Sequence, residues 1–424
     1  MLFDNVLASS DIYLRLKPIY RGILDLQEAM WKRIEQEDGQ AILSDLIRES
    51  EDIFHNHPRA ILEQDLSWIT ANTQDNRYLP IIYICRHGRE MLGYTPFVLE
   101  SSSIPFTLGE VTCATYSVRQ LTMYGDPVIK TEIEAGLKQD LALDLFDKVR
   151  SHIAPRQILL LLCVPSQGTL YKILKAKTTL TKQFHIMQYA ANYKRRLIAL
   201  PKTFEEYLKQ LGSKTRSDLN RNSRKLREHV NNELAIKSYT GEPSVTEFMR
   251  LAELVSKKTY QWNLLNRGLR DSDHVKNKLL LAAKRGWMRC YILFCREKPV
   301  AFMVGYLHRG RYYSTDIGYD PEWAAWSVGN VLHCEVVRDL IERTSDAALF
   351  DFMGDRPTHE RLSNGVFEEE ANFYLFPKSL EGTALYLALL LTDKLSILAS
   401  RILETLHLKT RVRNLIRQLS TTDH

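Results

Sequence analysis

The stretch Arg311–Asp355, RYYSTDIGYDPEWAAWSVGNVLHCEVVRDLIERTSDAALFDFMGD, admits few folds. It opens on a strand, Tyr312 to Tyr319. Strict alternation would put Tyr313, Thr315, Ile317 and Tyr319 on one face and Tyr312, Ser314, Asp316 and Gly318 on the other. Asp320-Pro321 ends the strand. A short aromatic link leads to Ser327-Val328-Gly329-Asn330, where a helix starts. Leu332, Val336 and Leu340, flanked by Val331, Val337 and Ile341, give that helix a broad apolar face. A second apolar strand, Ala348 to Phe352, runs into Met353-Gly354-Asp355. Strand, small-residue turn, helix and strand in this order make a candidate anion site, because the free N–H groups at the helix start can hold a phosphate. The plain alternative is a βαβ crossover that binds nothing.

At 424 residues the chain has room for two or three domains with cores of their own. Its 57 basic and 51 acidic residues leave a charge of +6, which permits an anionic ligand without requiring nucleic acid. Six cysteines are scattered with no CxxC pair, as in buried thiols of a reducing compartment, and no zinc site is expected. The start, MLFDNVLASSDIYLRLKP, does not read as a signal peptide, and Ala384 to Leu391 is too short to span a bilayer. A cytoplasmic location is expected.

Four regions follow from the change in texture along the chain. Residues 1–75 read as a helical region, with segments at Leu24–Ile34 and Ala41–Phe54. Residues 76–200 begin with two strands around the turn His87-Gly88-Arg89-Glu90, continue with extended pieces and a helix near Thr131–Ser151, and reach an apolar strand at Gln157–Val164. Residues 201–378 open on a capping box, Thr203 with Glu206. The basic helix KTRSDLNRNSRKLREHV follows. Six basic residues against Asp218 and Glu228 leave it net +4, dense enough to suggest a phosphate-bearing ligand, although a solvated face is the common outcome. A three-strand meander (Met288–Arg296, Val300–Leu307, Tyr312–Tyr319) then feeds the opening stretch. Residues 379–424 form a leucine-rich helical tail, basic at Lys409, Arg411, Arg413 and Arg417, for which peripheral membrane contact is one expectation.

This element order resembles the GNAT acyltransferase fold. LPKTFEEYLKQLGSKTRSDLNRNSRKL, then REKPVAFMVGY, RYYSTDIGYDPEW, WSVGNVL and FDFMGD, is similar to the subgroup that includes polysaccharide-linked acetyltransferases and Fem-type peptidoglycan transferases. The likeness covers about 195–376, with a weaker version before it. It implies an α/β fold of tandem GNAT-like halves: mixed, mainly antiparallel sheets flanked by helices, the first half degenerate. It also implies transfer of an acyl group from acyl-CoA, acetyl-CoA foremost, to an amine or hydroxyl of a small molecule, sugar or cell-envelope precursor. In such folds the splay between the fourth and fifth strands admits the CoA arm, and the next helix start binds the pyrophosphate through an Arg/Gln-x-x-Gly-x-Gly/Ala loop. The matching residues here are Trp326, Ser327, Val328, Gly329 and Asn330; the leading Arg or Gln and one glycine are missing. The Tyr-Lys pair that Fem-type patterns carry after the fifth strand is replaced by Arg356-Pro357-Thr358-His359.

Acyl transfer from a thioester needs a deprotonated amine, a polarised carbonyl and a proton for the leaving thiolate. Asp316, Asp351 and Asp355 are the candidate bases, and Tyr319 the candidate acid, with Tyr313, His308 and His333 as lesser choices. Arg221, Arg224 and Arg227 are the candidate phosphate contacts. Two other readings stay open. One is a Fem-type transferase taking aminoacyl-tRNA, with the basic helix on RNA phosphates. The other is a GNAT-like binding protein without activity.

Overall fold

The structure is a computed structural model that describes residues 29–35, 40–71, 78–108, 111–154, 156–176, 178–259, 262, 268–269 and 272–405. The start of the chain and the basic residues Lys409 to Arg417 lie outside the described residues. The strands are β1 (Ala29–Glu35), β2 (Tyr78–His87), β3 (Glu90–Leu108), β4 (Val111–Tyr124), β5 (Val128–Ile129), β6 (Gln157–Pro165), β7 (Phe184–Ala199), β8 (Leu234–Tyr239), β9 (Cys290–Cys295), β10 (Lys298–His308), β11 (Arg311–Tyr319), β12 (Leu349–Asp351) and β13 (Val366–Pro377). Contacts divide the chain into two compact units. Residues up to Arg59, those from 76 to Ala190 and those from Asn372 form one; Ala60–Asp75 and Ala191–Ala371 form the other.

In the first unit β1-β2-β3-β4 is an antiparallel run, and β6 joins β4 in parallel. The connection from β4 to β6 is the Ala135–His152 helix, which buries Leu137, Leu141, Leu145 and Val149 at four-residue spacing. Trp31 of β1 donates its indole N–H to the Leu141 carbonyl at 2.9 Å. β1 corrects the reading of Leu24–Ile34 as helical over residues 29–34, and the residues before Ala29 lie outside the described residues. Ala29-Met30 and Lys32-Arg33 are good helix formers locally, but pairing with β2 along seven residues overrides that preference. Of the extended pieces expected after the hairpin, those within Val111–Tyr124 form one strand, β4.

The second unit repeats the plan. β8-β9-β10-β11 is antiparallel, the Val328–Arg343 helix crosses over, and β12 returns parallel to β11. Two buried layers flank this sheet. One packs Tyr207, Leu219, Leu226, Val331, Val336 and Leu340 against Tyr291, Met303 and Tyr312. The other packs Phe248, Ala252, Val255 and Leu279 of the Val245–Ser256 and Asp273–Lys284 helices against Ile292, Phe302, Val304, Tyr306 and Tyr313. The capping box forms as expected: Thr203 Oγ1 accepts from the Glu206 amide at 3.2 Å, and the Glu206 carboxylate accepts from the Thr203 amide at 3.3 Å.

Candidate active site

The second unit leaves an opening in its own sheet. β11 pairs with β12 only over Arg311–Tyr313, then continues to Tyr319 with no strand on that side among the described residues, and Thr315, Asp316 and Ile317 are exposed. The first unit has no counterpart. There β4 pairs with β6 from Arg119 to its last residue, Tyr124, and the Gly125 amide extends the ladder to the Leu162 carbonyl at 2.8 Å.

A β-bulge decides which side chains face which layer. Val304 pairs with Asp316 but Gly305 with Ser314, so Thr315 is an extra residue on β11. The strict alternation expected for this strand is therefore wrong across Thr315. Tyr313 and Asp316 share a face with Val304 and Tyr306, while Ile317 and Tyr319 face the Val328–Arg343 helix. Ile317, 37% exposed, is not a core residue.

Residues distant in sequence complete the surroundings of Asp316. Asp65 caps the short Leu66–Thr70 helix, accepting from the Ser67 and Trp68 amides at 2.8 and 3.2 Å. Its other oxygen lies 3.3 Å from His308 Nε2 at the end of β10. This anchor brings Trp68 edge-on to Tyr306, ring centroids 4.6 Å apart, and Lys278 Nζ sits 5.2 Å from the Trp68 ring. Desolvation by these walls raises the Asp316 pKa, and Lys278 pulls it back. Desolvation lowers the Lys278 pKa, against the pull of Glu63 and Asp316. Glu63 Oε2 is buried without a hydrogen-bond partner among the described residues. Sequence reading missed Glu63 and Lys278. They lie more than 200 residues apart and carry no local pattern.

The other carboxylates are committed elsewhere. Asp351 is fully buried, and its Oδ2 accepts from Arg195 Nε at 2.8 Å and Arg311 Nε at 2.9 Å. Burial would push its pKa up, but the two guanidiniums prevail and hold it below the usual carboxylate range. Asp355 pairs with Arg196 at 2.9 Å, a hydrogen bond that lowers its pKa. Neither has the raised basicity that suits removal of a proton from an ammonium. His333 is sealed between Phe350 and Phe352, and burial pushes its pKa down to about 3.

At the helix start, Ser327 takes a left-handed conformation at φ 52°, and the Asn330 and Val331 amides both turn back to its carbonyl. Val328 is buried in the core, and the Trp326 ring stacks on His229 at 3.9 Å. A Cβ on Gly329 would lie 3.3 Å from the Tyr319 ring, so glycine lets strand end and helix start meet. On the Ser213–His229 helix, Arg221 pairs with Asp218 at 2.7 Å, Arg224 with Glu228 at 3.6 Å and Arg227 with Glu335 at 2.9 Å. Arg224, Arg227 and Arg338 line an open groove of about 400 Å³. No group of three or more side chains among the described residues has a metal-binding arrangement.

Residues 213–361 match the acetyltransferase (GNAT) domain family. The fold is a Fem-like tandem GNAT fold. FemX superposes with a TM-score of 0.52 at 10% identity, covering 77% of this chain and 95% of that one. A conserved protein of unknown function from Bacteroides thetaiotaomicron superposes at 0.50 and 12% identity, covering 78% and 97%. No curated protein matches in sequence. Within the GNAT plan, β11 and β12 are the fourth and fifth strands of the second half, so the opening beyond Tyr313 is the splay that the resemblance implied. The first GNAT-like half keeps the strand order and lacks the splay.

Proposed function

We propose that this chain is an acyltransferase that moves an acyl group from acyl-CoA to an amine, with a hydroxyl acceptor as the second possibility. The observation that carries the reading is the splay: β11 runs on past the end of β12 in the second half alone. The pantetheine arm enters there, and the Val328 and Gly329 amides at the helix start face the pyrophosphate, aided by the helix dipole.

Asp316 takes the proton from the acceptor ammonium. Its solvent access lets a substrate reach it, and its raised pKa brings its basicity closer to that of the group it serves. The freed amine attacks the thioester carbon and forms a tetrahedral oxyanion. The extra residue at Thr315 leaves backbone outside the β10 ladder, and its N–H is the donor proposed for that oxyanion. Collapse breaks the C–S bond and expels the CoA thiolate. Tyr319, 42% exposed at the splay, gives the thiolate its proton and recovers one from solvent.

The test is thiol release from acetyl-CoA across a panel of amines, amino sugars and hydroxyl acceptors. Release that depends on the acceptor supports the proposal. If no acceptor accelerates thiol release above the hydrolysis background, the proposed donor is wrong.

A further inference from the structure

The Leu380–Thr405 helix has two apolar sides. One carries Leu385 and Leu389, buried with Ile104, Val118, Ile158 and Phe376 of its own unit. The other carries Leu387, Leu391 and Leu395, which are 56, 60 and 43% exposed, and Leu380 at the helix start is 92% exposed. Seven- and four-residue steps place these four on one face. Scattered exposed leucines are ordinary, but a stripe of them opposite a packed face is not.

The sequence after the helix bears on what covers the stripe. Residues 406–424 carry Lys409, Arg411, Arg413 and Arg417 against one acid, Asp423, interleaved with Leu406, Leu408, Val412, Leu415, Ile416 and Leu419. A neutral surface would leave the charge unanswered. A surface that is both apolar below and negative above satisfies the two features together. No helix among the described residues is long and apolar enough to cross a membrane.

We propose that the exposed leucine face of the Leu380–Thr405 helix docks this protein onto an anionic lipid bilayer. The leucines enter the acyl boundary and the basic residues that follow meet the headgroups. This proposal stands apart from the acyl-transfer reading and needs no acceptor.

The experiment is co-sedimentation of the full chain with vesicles of phosphatidylcholine alone and of phosphatidylcholine mixed with phosphatidylglycerol. The expected result is pelleting with the mixed vesicles at low salt, declining as salt screens the headgroup attraction. Leu387→Asp with Leu391→Asp should weaken binding at least tenfold, and so should Arg411→Glu with Arg413→Glu. Leu387→Ser with Leu391→Ser, a milder change at exposed positions, guards against a folding effect and should also weaken it. The absence of pelleting with either vesicle would overturn the proposal, as would equal pelleting with both. A dimer in gel filtration that the leucine variants dissociate would assign the face to a second copy instead.

Discussion

Asp316 stands on the same face of β11 as Tyr313, although it lies three positions on and strict alternation would set them on opposite faces. The extra residue at Thr315 makes the difference, and it aims the carboxylate at Lys278 and Tyr306. Replacing Asp316 therefore tests chemistry and stability together. Asp316→Asn should fold normally and lower turnover about 10²-fold, the usual contribution of a general base. Its raised pKa means that the folded state favours the protonated carboxyl. The wild type is then most stable, relative to the variant, below the ordinary carboxyl value of 3.8, and loses that advantage as pH rises through the folded pKa. At neutral pH the variant should melt no lower than wild type. A clear drop in melting temperature at pH 7 would make Asp316 a structural residue.

Deleting Thr315 tests the bulge itself. The deletion joins Ser314 to Asp316 and leaves every other side chain of β11 on its present face. Stability should change little, while turnover should fall at least tenfold because the extra residue whose N–H is the proposed oxyanion donor is gone. Full activity in a folded deletion variant would exclude the bulge from the reaction.

Asp351 should behave in the opposite way to Asp316. Asp351→Ala leaves Arg195 and Arg311 buried beside an empty partner position, at a cost of about 3–5 kcal/mol. Its lowered pKa makes the stabilisation present above the ordinary carboxyl value and lost as pH falls through the folded value. Denaturant titrations at neutral and acid pH should show the gap between wild type and variant closing on acidification. A gap that widens in acid would show that the carboxylate is not held ionised by the two arginines.

Much of this plan was legible in the sequence, because periodicity and turn chemistry are local. The capping box at Thr203, the meander and the Val328–Arg343 helix all follow from spacing and breakers. What was illegible depends on pairing across the chain. The bulge is set by the mismatch between β10 and β11, and β1 by its ladder with β2. Lys278 acquires meaning only when Asp65 pins the Leu66–Thr70 helix and Trp68 beside it. Among the candidate bases, partners separated Asp316 from Asp351, since the sequence offers both simply as carboxylates on neighbouring strands.

The basic helix separates the acyl-CoA reading from the aminoacyl-tRNA one. Because Arg221, Arg224 and Arg227 each face a carboxylate of their own chain, RNA binding should be weak and should vanish at moderate salt. Filter binding with a tRNA mixture checks this. Tight binding that is lost on reversing the three arginines to glutamate would favour the tRNA donor.

The donor site is tested by calorimetric titration of wild type and Gly329→Val with acetyl-CoA. A valine at this position pushes against the Tyr319 ring, which already lies 3.3 Å from the position of a Cβ. Wild type should bind one equivalent per chain, and the folded variant at least tenfold more weakly, because side-chain bulk then blocks the pyrophosphate from the helix start. No binding by wild type, or equal binding by the two proteins, would contradict a donor site in the splay of the second half.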